Sequence, residues 1–273
     1  MTTARVGLLA LAVCVLGGCG SGPSSVSTTG ESPALRAWAG FPVGRVPRPL
    51  VLVGPKVVDP RTGFPDGPTK LAYIERAVDL PATLPPGPAT ADGYPIVSAA
   101  EAARRFMSGP GKGPASGVRL VVTAIQLGTA EFDTDRGRQD LPAWQFSFQG
   151  VTDPAAVLAV ASSRLFQPAV AATRGAMVTD ARVGADGRTL TVGFVGLAAG
   201  SGPCTANYSV TAETSRTAVA VSVHAHDAGG SGTAALTCNL VGYHREATTV
   251  LDAALGARVL VDAASGSAVP VTG

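Results

Sequence analysis

The chain has 273 residues, 46% of them hydrophobic and 15% charged, with a formal net charge of +2. That is chain enough for one large or two small domains with a true apolar core. Basic residues form no run and aromatics make up 5% of the total, which excludes a phosphate-tracking surface with base-stacking platforms and so excludes nucleic acid as a partner.

The first element is apolar. Arg5 supplies a short positive start, and Val6 to Leu16 then run almost without a polar side chain. At about 1.5 Å per residue these positions reach about 17 Å as a helix, short of the roughly 20 residues that a membrane span needs. They read as the apolar region of an export signal. Leu16-Gly17-Gly18-Cys19 follows: a branched apolar residue, two small residues and a cysteine. This pattern resembles the lipobox of bacterial lipoproteins. The resemblance implies cleavage before Cys19, acylation of its thiol, and attachment to the outer face of the cell membrane through that lipid. Residues 1–18 are then a signal peptide whose loss, with Arg5, lowers the net charge from +2 to +1. Residues 19–35, rich in Gly, Ser, Thr and Pro, bury too little to offset the entropy of ordering and read as a lipidated flexible tether.

Residues 36–115 are expected to be Pro-rich and extended, with one helix. Pro47, Pro49 and Pro55 forbid a helix between Trp38 and Pro55. Val57-Val58 reads as a short strand running into a turn at Asp59–Gly63, and Lys70 to Leu80 alternates partly, as a strand does. The helix begins at Ser98, where Ser98-Ala-Ala-Glu101 has the spacing of a capping box, runs from Ala99 to about Met107, and is stopped by Gly109-Pro-Gly-Lys-Gly113.

Residues 116–273 read as strand, turn, strand, in a mainly β (α+β) protein whose C-terminal part is an antiparallel sandwich or meander, whether 36–273 forms one domain or two. Strands are expected at Val118–Leu127, Trp144–Phe148, Thr189–Val195 after the Asp186-Gly187 turn, Ala206–Glu213 and Thr217–His226. In the last of these, Val219, Val221 and Val223 take one face and Ala220, Ser222 and His224 a wet one. Val157–Ala161 completes a hairpin with Trp144–Phe148, or else Asp153-Pro154 opens a helix to Phe166. Arg258–Asp262 and Ala268–Val271 form a terminal hairpin around Ser265-Gly266. Its Val-Asp-x-x-Ser-Gly repeats the pattern of Val58-Asp-x-x-Thr-Gly63, too short a likeness to establish an internal repeat.

Two cysteines remain after Cys14 leaves with the signal and Cys19 is acylated. In an oxidising compartment Cys204 and Cys238 are expected to form a disulfide, worth about 4 kcal/mol for a loop of about 34 residues in the chain-entropy model. A plain meander would pair Cys204 near His226 and His226 near Cys238, leaving the cysteines about 9.6 Å apart, beyond bonding range, so Cys204 is expected to leave the meander.

Candidate chemistry is sparse. Gly109–Gly113 lacks the spacing, the Ser or Thr and the flanking strand and helix of a phosphate loop. Glu131, Asp133 and Asp135 alternate, which puts three carboxylates on one strand face where calcium, or Arg136 and Arg138, would balance them. An EF-hand loop opening at Asp133 needs its glycine at Arg138 and its closing glutamate at Trp144, so the cluster reads as a solvated charged hairpin loop. His224 and His226 share a strand face, but a hairpin would set His244 opposite Ala220, about 13 Å along, too far for one metal. The serines at 231, 265 and 267 lack the strand–nucleophile–helix context of a hydrolase elbow. Trp38 and Trp144 read as core rather than as a ligand groove.

No cofactor is called for. The mature part resembles the β-rich envelope lipoproteins of GC-rich bacteria, which implies a location and no activity. The expected role is a non-enzymatic envelope module that binds a protein, a polymer or a small ligand, with an exported hydrolase or a calcium-dependent binding protein as alternatives. Intact mass after alkylation is expected to show Cys204 and Cys238 blocked until reduction; free thiols in the exported protein would contradict the bridge.

Overall fold

The computed structural model describes residues 31–109, 117–168, 177–200, 202, 204–226 and 241–273. The signal region, Cys19 and Cys238 therefore lie outside the described residues. Ser32–Gly273 forms one compact unit, and the fold is mainly β, as expected. No described helix is long and apolar enough to cross a membrane.

Order begins earlier than the expected tether boundary. Ser32 caps a short helix, α1 (Pro33–Ala37), its hydroxyl accepting from the Leu35 amide, and Ala34 and Leu35 are buried. Proline suits this first turn because the amide it removes has no partner there. β1 (Val57–Val58) comes next and leads into the expected turn, where the Gly63 amide bonds the Pro60 carbonyl at a φ of 77°.

The strand expected over Lys70–Leu80 is instead a helix, α2 (Gly67–Ile74), followed by β2 (Val78–Asp79) alone. Asp66 caps it by accepting from the Thr69 amide at 2.7 Å, with Pro68 in the first turn. Local capping outweighed an imperfect alternation. β3 (Thr90–Ala91) and β4 (Tyr94–Pro95) form a small hairpin. α3 (Ala99–Met107) starts at Ser98 as expected, the Ser98 hydroxyl accepting from the Glu101 amide, while the Glu101 carboxylate pairs with Arg104 and Arg105.

The remaining strands are β5 (Leu120–Thr134), β6 (Gly137–Phe148), β7 (Ala155–Leu158), β8 (Val178–Val183), β9 (Thr189–Gly196), β10 (Asn207–Thr214), β11 (Ala218–His226), β12 (Tyr243–Val250), β13 (Val259–Asp262) and β14 (Val271–Thr272). A five-stranded sheet runs β1-β7-β6-β5-β2. The hairpin alternative at 155–166 is thus the correct one; only Ser162–Arg164 turn helically. One face of this sheet carries Ile125, Trp144, Phe146 and Val157 against α2 and α3, with Phe106 stacked on Phe146 at 5.4 Å. The other face carries Phe132, Leu141, Ala156 and Leu158.

Two further sheets, β12-β9-β8-β14 and β10-β11-β13, enclose a shared core of Val178, Leu190, Val192, Val219, Val221, Leu260 and Val271. This is the expected sandwich, but not a meander. β11 pairs with β10 and, in parallel, with β13, while β12 pairs with β9. The expected hairpin between the His226 and His244 strands is therefore absent. The outer face of β11, expected to be wet, is wet only in its second half, because Ala218 and Ala220 pack with Val259 and Val261 against α1, Trp38 and Phe41. The terminal hairpin is begun by hydrogen bonds between Asp262 and Ser267 and between Val269 and Leu260, and then abandoned as β14 crosses to pair in parallel with β8.

The parts meet at Asp135. Its amide donates to the Val51 carbonyl, its carbonyl accepts from the Val271 amide, and its carboxylate, 2% exposed, takes both terminal nitrogens of Arg48, one of them at 3.1 Å. Arg48 also donates to the Ala257 carbonyl, and Arg136 to those of Gly256 and Arg258. The Arg136 guanidinium also lies 3.8 Å from the Asp135 carboxylate, so Asp135→Asn removes the counter-charge that Arg48 and Arg136 share among the described residues, and is expected to lower the unfolding free energy in urea by about 3 kcal/mol. A change under about 1 kcal/mol would contradict this role.

Candidate ligand cleft

The carboxylates singled out by alternation divide. Glu131 and Asp133 stay on an exposed face of β5, where Arg138 lies 3.8 Å and 3.3 Å from them. Asp135 falls just past the end of the strand, and the turn closed by Gly137 at φ 78° sends it into the interior toward Arg48. The expectation of three carboxylates on one solvated face is thus corrected: the third is buried and already neutralised. Among the described residues no three metal-ligating side chains converge.

The histidines also separate. His224 pairs with the Thr211 hydroxyl at 2.8 Å and His226 with that of Ser209, both across β10 and β11 and both exposed. His244 lies in a different sheet, 3.7 Å from Asp180. The two hydroxyl–imidazole pairs have no carboxylate orienting the imidazole among the described residues, and they sit on an open sheet face rather than in a cleft, so they do not form a hydrolytic triad. Ser265 accepts from the Ser267 amide within a tight turn. Cys204 is disulfide-bonded and has a φ of 64°. Its expected partner, Cys238, lies outside the described residues.

A cleft of about 550 Å³ is built from three segments that sequence inspection did not connect. Residues 50–54 thread between the end of β5 and the 164–166 segment: Val53 donates to the Asp133 carbonyl, Leu50 to that of Arg164, and Phe166 to that of Leu50. The Ser265–Ala268 turn closes the third side, with Gly266 at φ 71°. Trp38 ties this turn to α1 by donating from Nε1 to the Gly266 carbonyl at 2.9 Å. Trp38, Phe41 and Phe166 then pack on one another edge-to-face or tilted, with centroids 5.1–6.4 Å apart, and the Arg48 guanidinium lies 4.7 Å from the Phe41 centroid.

Apolar side chains, those of Leu52, Val53, Leu165, Phe166 and Ala268, make up much of the walls, and polar atoms share the rest, while Val51 is itself buried. Trp38 is 2% exposed and so belongs to the core, as expected, while also closing the floor of the cleft. Trp144 is core alone: its Nε1 donates to the Val97 carbonyl, and Gly87 lies so close that a Cβ there would sit 2.7 Å from the indole.

Lys56 is the charged residue of the lining. Its ammonium has no hydrogen-bond or ion-pair partner among the described residues, and the charge that acts on it belongs to a second cation, Arg105. Arg105 in turn is held by Glu101 and the carbonyls of Leu158 and Val160. Burial, and then Arg105, lower the Lys56 ammonium below the ordinary lysine range. The sequence held a faint signal for this residue: lysine occurs three times among 21 basic residues, and Lys56 interrupts an apolar stretch.

No protein-family model matches the chain, and no curated protein or solved structure matches it either.

Because folding disfavours the charged form of Lys56, its charge costs stability at pH 7, and that cost fades as the pH rises through the lowered value toward the unfolded value of 10.5. Lys56→Met is expected to raise the Tm at pH 7 by about 1–3 °C, with the gain shrinking near pH 10. A lower Tm at pH 7 in differential scanning calorimetry would contradict it.

Proposed function

We propose that this chain is the precursor of a bacterial lipoprotein, cleaved before Cys19 and held on the outer face of the cell membrane by lipid on that cysteine. The observation that carries this reading is the run Leu16-Gly17-Gly18-Cys19 at the end of a nearly unbroken apolar stretch that begins at Val6. Twelve residues separate Cys19 from Ser32, where the compact unit starts. Such spacing suits a body carried a short way from a bilayer surface.

The body is a binding module rather than a catalyst. Its support is the cleft itself, which combines apolar side chains, a lysine with no partner among the described residues and backbone hydrogen bonds that fix two of its edges. Its volume falls within the range of small-molecule sites, which commonly measure about 300–1,000 Å³. The partner is accordingly a small molecule met at the envelope. Cys19→Ser is expected to move the protein from the membrane fraction to the soluble exported fraction, followed by immunoblot of both. Unchanged membrane retention would overturn the anchor.

A further inference from the structure

We propose that the cleft beside Trp38 binds a small monocarboxylate, whose apolar body lies along Val53, Leu165 and Phe166 and whose anionic end meets the Lys56 ammonium. This rests on reading the body as a binding module and adds the chemical class of what it binds. Two other charged surfaces do not compete. At the groove beside Gly256 and Val271, Arg136 is bound to backbone carbonyls and Arg138 faces Glu131 and Asp133. The Arg182 guanidinium on β8 is taken by both oxygens of Glu246.

Lys56 differs from these in having no anionic partner among the described residues. A half-buried ammonium next to a second cation is an unfavourable arrangement, relieved when a negative charge enters. One ammonium, with Gln167 and Ser267 as neutral polar neighbours in the lining, suits one negative charge better than a phosphate dianion. The apolar walls set the second requirement. A small hydrophilic anion would leave them wet, whereas a ligand with an aromatic or branched aliphatic body removes their surface from water at about 25 cal/mol per Å². Trp38, pinned to Gly266, and residues 53–54, pinned to the Asp133 carbonyl, keep the walls in place before binding, so little ordering cost is left to the ligand.

The test uses the mature protein, purified from its own membrane and placed in neutral phosphatidylcholine nanodiscs with empty discs as blank, titrated calorimetrically with 2-naphthoate and with its neutral analogue 2-naphthalenemethanol. At pH 7 the carboxylate is expected to bind at least about tenfold more tightly than the alcohol, which is about 1.4 kcal/mol. Lys56→Met should remove that difference while leaving the alcohol unchanged, and Lys56→Arg should keep it. Ser267→Trp, which fills the cleft, should abolish both. Equal affinity of the two probes, or naphthoate binding unchanged in Lys56→Met, would overturn the carboxylate assignment and leave the binding-module reading standing. If neither probe bound to a protein whose melting showed it folded, both would fall, while the anchor at Cys19 would be untouched.

Discussion

The ion pair between Asp135 and Arg48 is the constraint on which the arrangement of this protein depends. A carboxylate 2% exposed tolerates its burial only when opposed by charge and hydrogen bonds, and Arg48 supplies two of them in a fork. Asp135 follows directly on the longest strand of the five-stranded sheet, while its own amide and carbonyl reach Val51 and Val271. Arg48 and Arg136 carry the connection onward to the carbonyls of residues 256–258, ahead of β13. One charged pair therefore joins the segment before β1, the β5–β6 turn and the end of the chain.

The cleft is a consequence of that junction. Once Arg48 is fixed over the Phe41 ring, the chain from Leu50 to Gly54 must run beside the end of β5, and the 164–166 segment can pair with its other edge. The Trp38–Phe41–Phe166 cluster fills the space between this segment and the β10-β11-β13 sheet, where α1 also packs. What remains open is a slot with aliphatic and aromatic walls and Lys56 on its lining. A polar residue is found there because the sheet ends, not because a motif calls for it.

Several elements were legible without the fold. The cap at Ser98 and the turn at Asp186-Gly187 follow from local chemistry, since each is decided by side chains and backbone within a few residues, whereas β5 and β6 pair through residues 128–143 that were expected to lie outside strands. The Asp186 carboxyl, held to about 2 by the amide and hydroxyl of Thr189 and the amide of Arg188, shows how tightly such a turn is specified. α2 was missed because its apolar spacing is poor and its signal lay in Asp66 and Pro68, outside the stretch that alternates. The Val-Asp-x-x-Ser/Thr-Gly pair also proves local: both turns end in a glycine of positive φ, yet β1 pairs with β7 and β13 with β11.

Sequence alone determined the mainly β class, most strand positions and the lipobox-like run at residues 16–19, because periodicity, capping and turn residues act over short separations. Tertiary structure decided everything that depends on which strand lies beside which. It put β12 against β9 rather than β11 and so parted His244 from His224 and His226. It turned Asp135 from one carboxylate of an expected solvated loop into a buried counter-charge for Arg48, 87 residues earlier. It also brought Trp38, Lys56, Phe166 and Ser267 to one cleft. Those contacts span up to 229 positions from Trp38 to Ser267, and no local pattern encodes them, since they arise only when separate apolar faces are buried against each other.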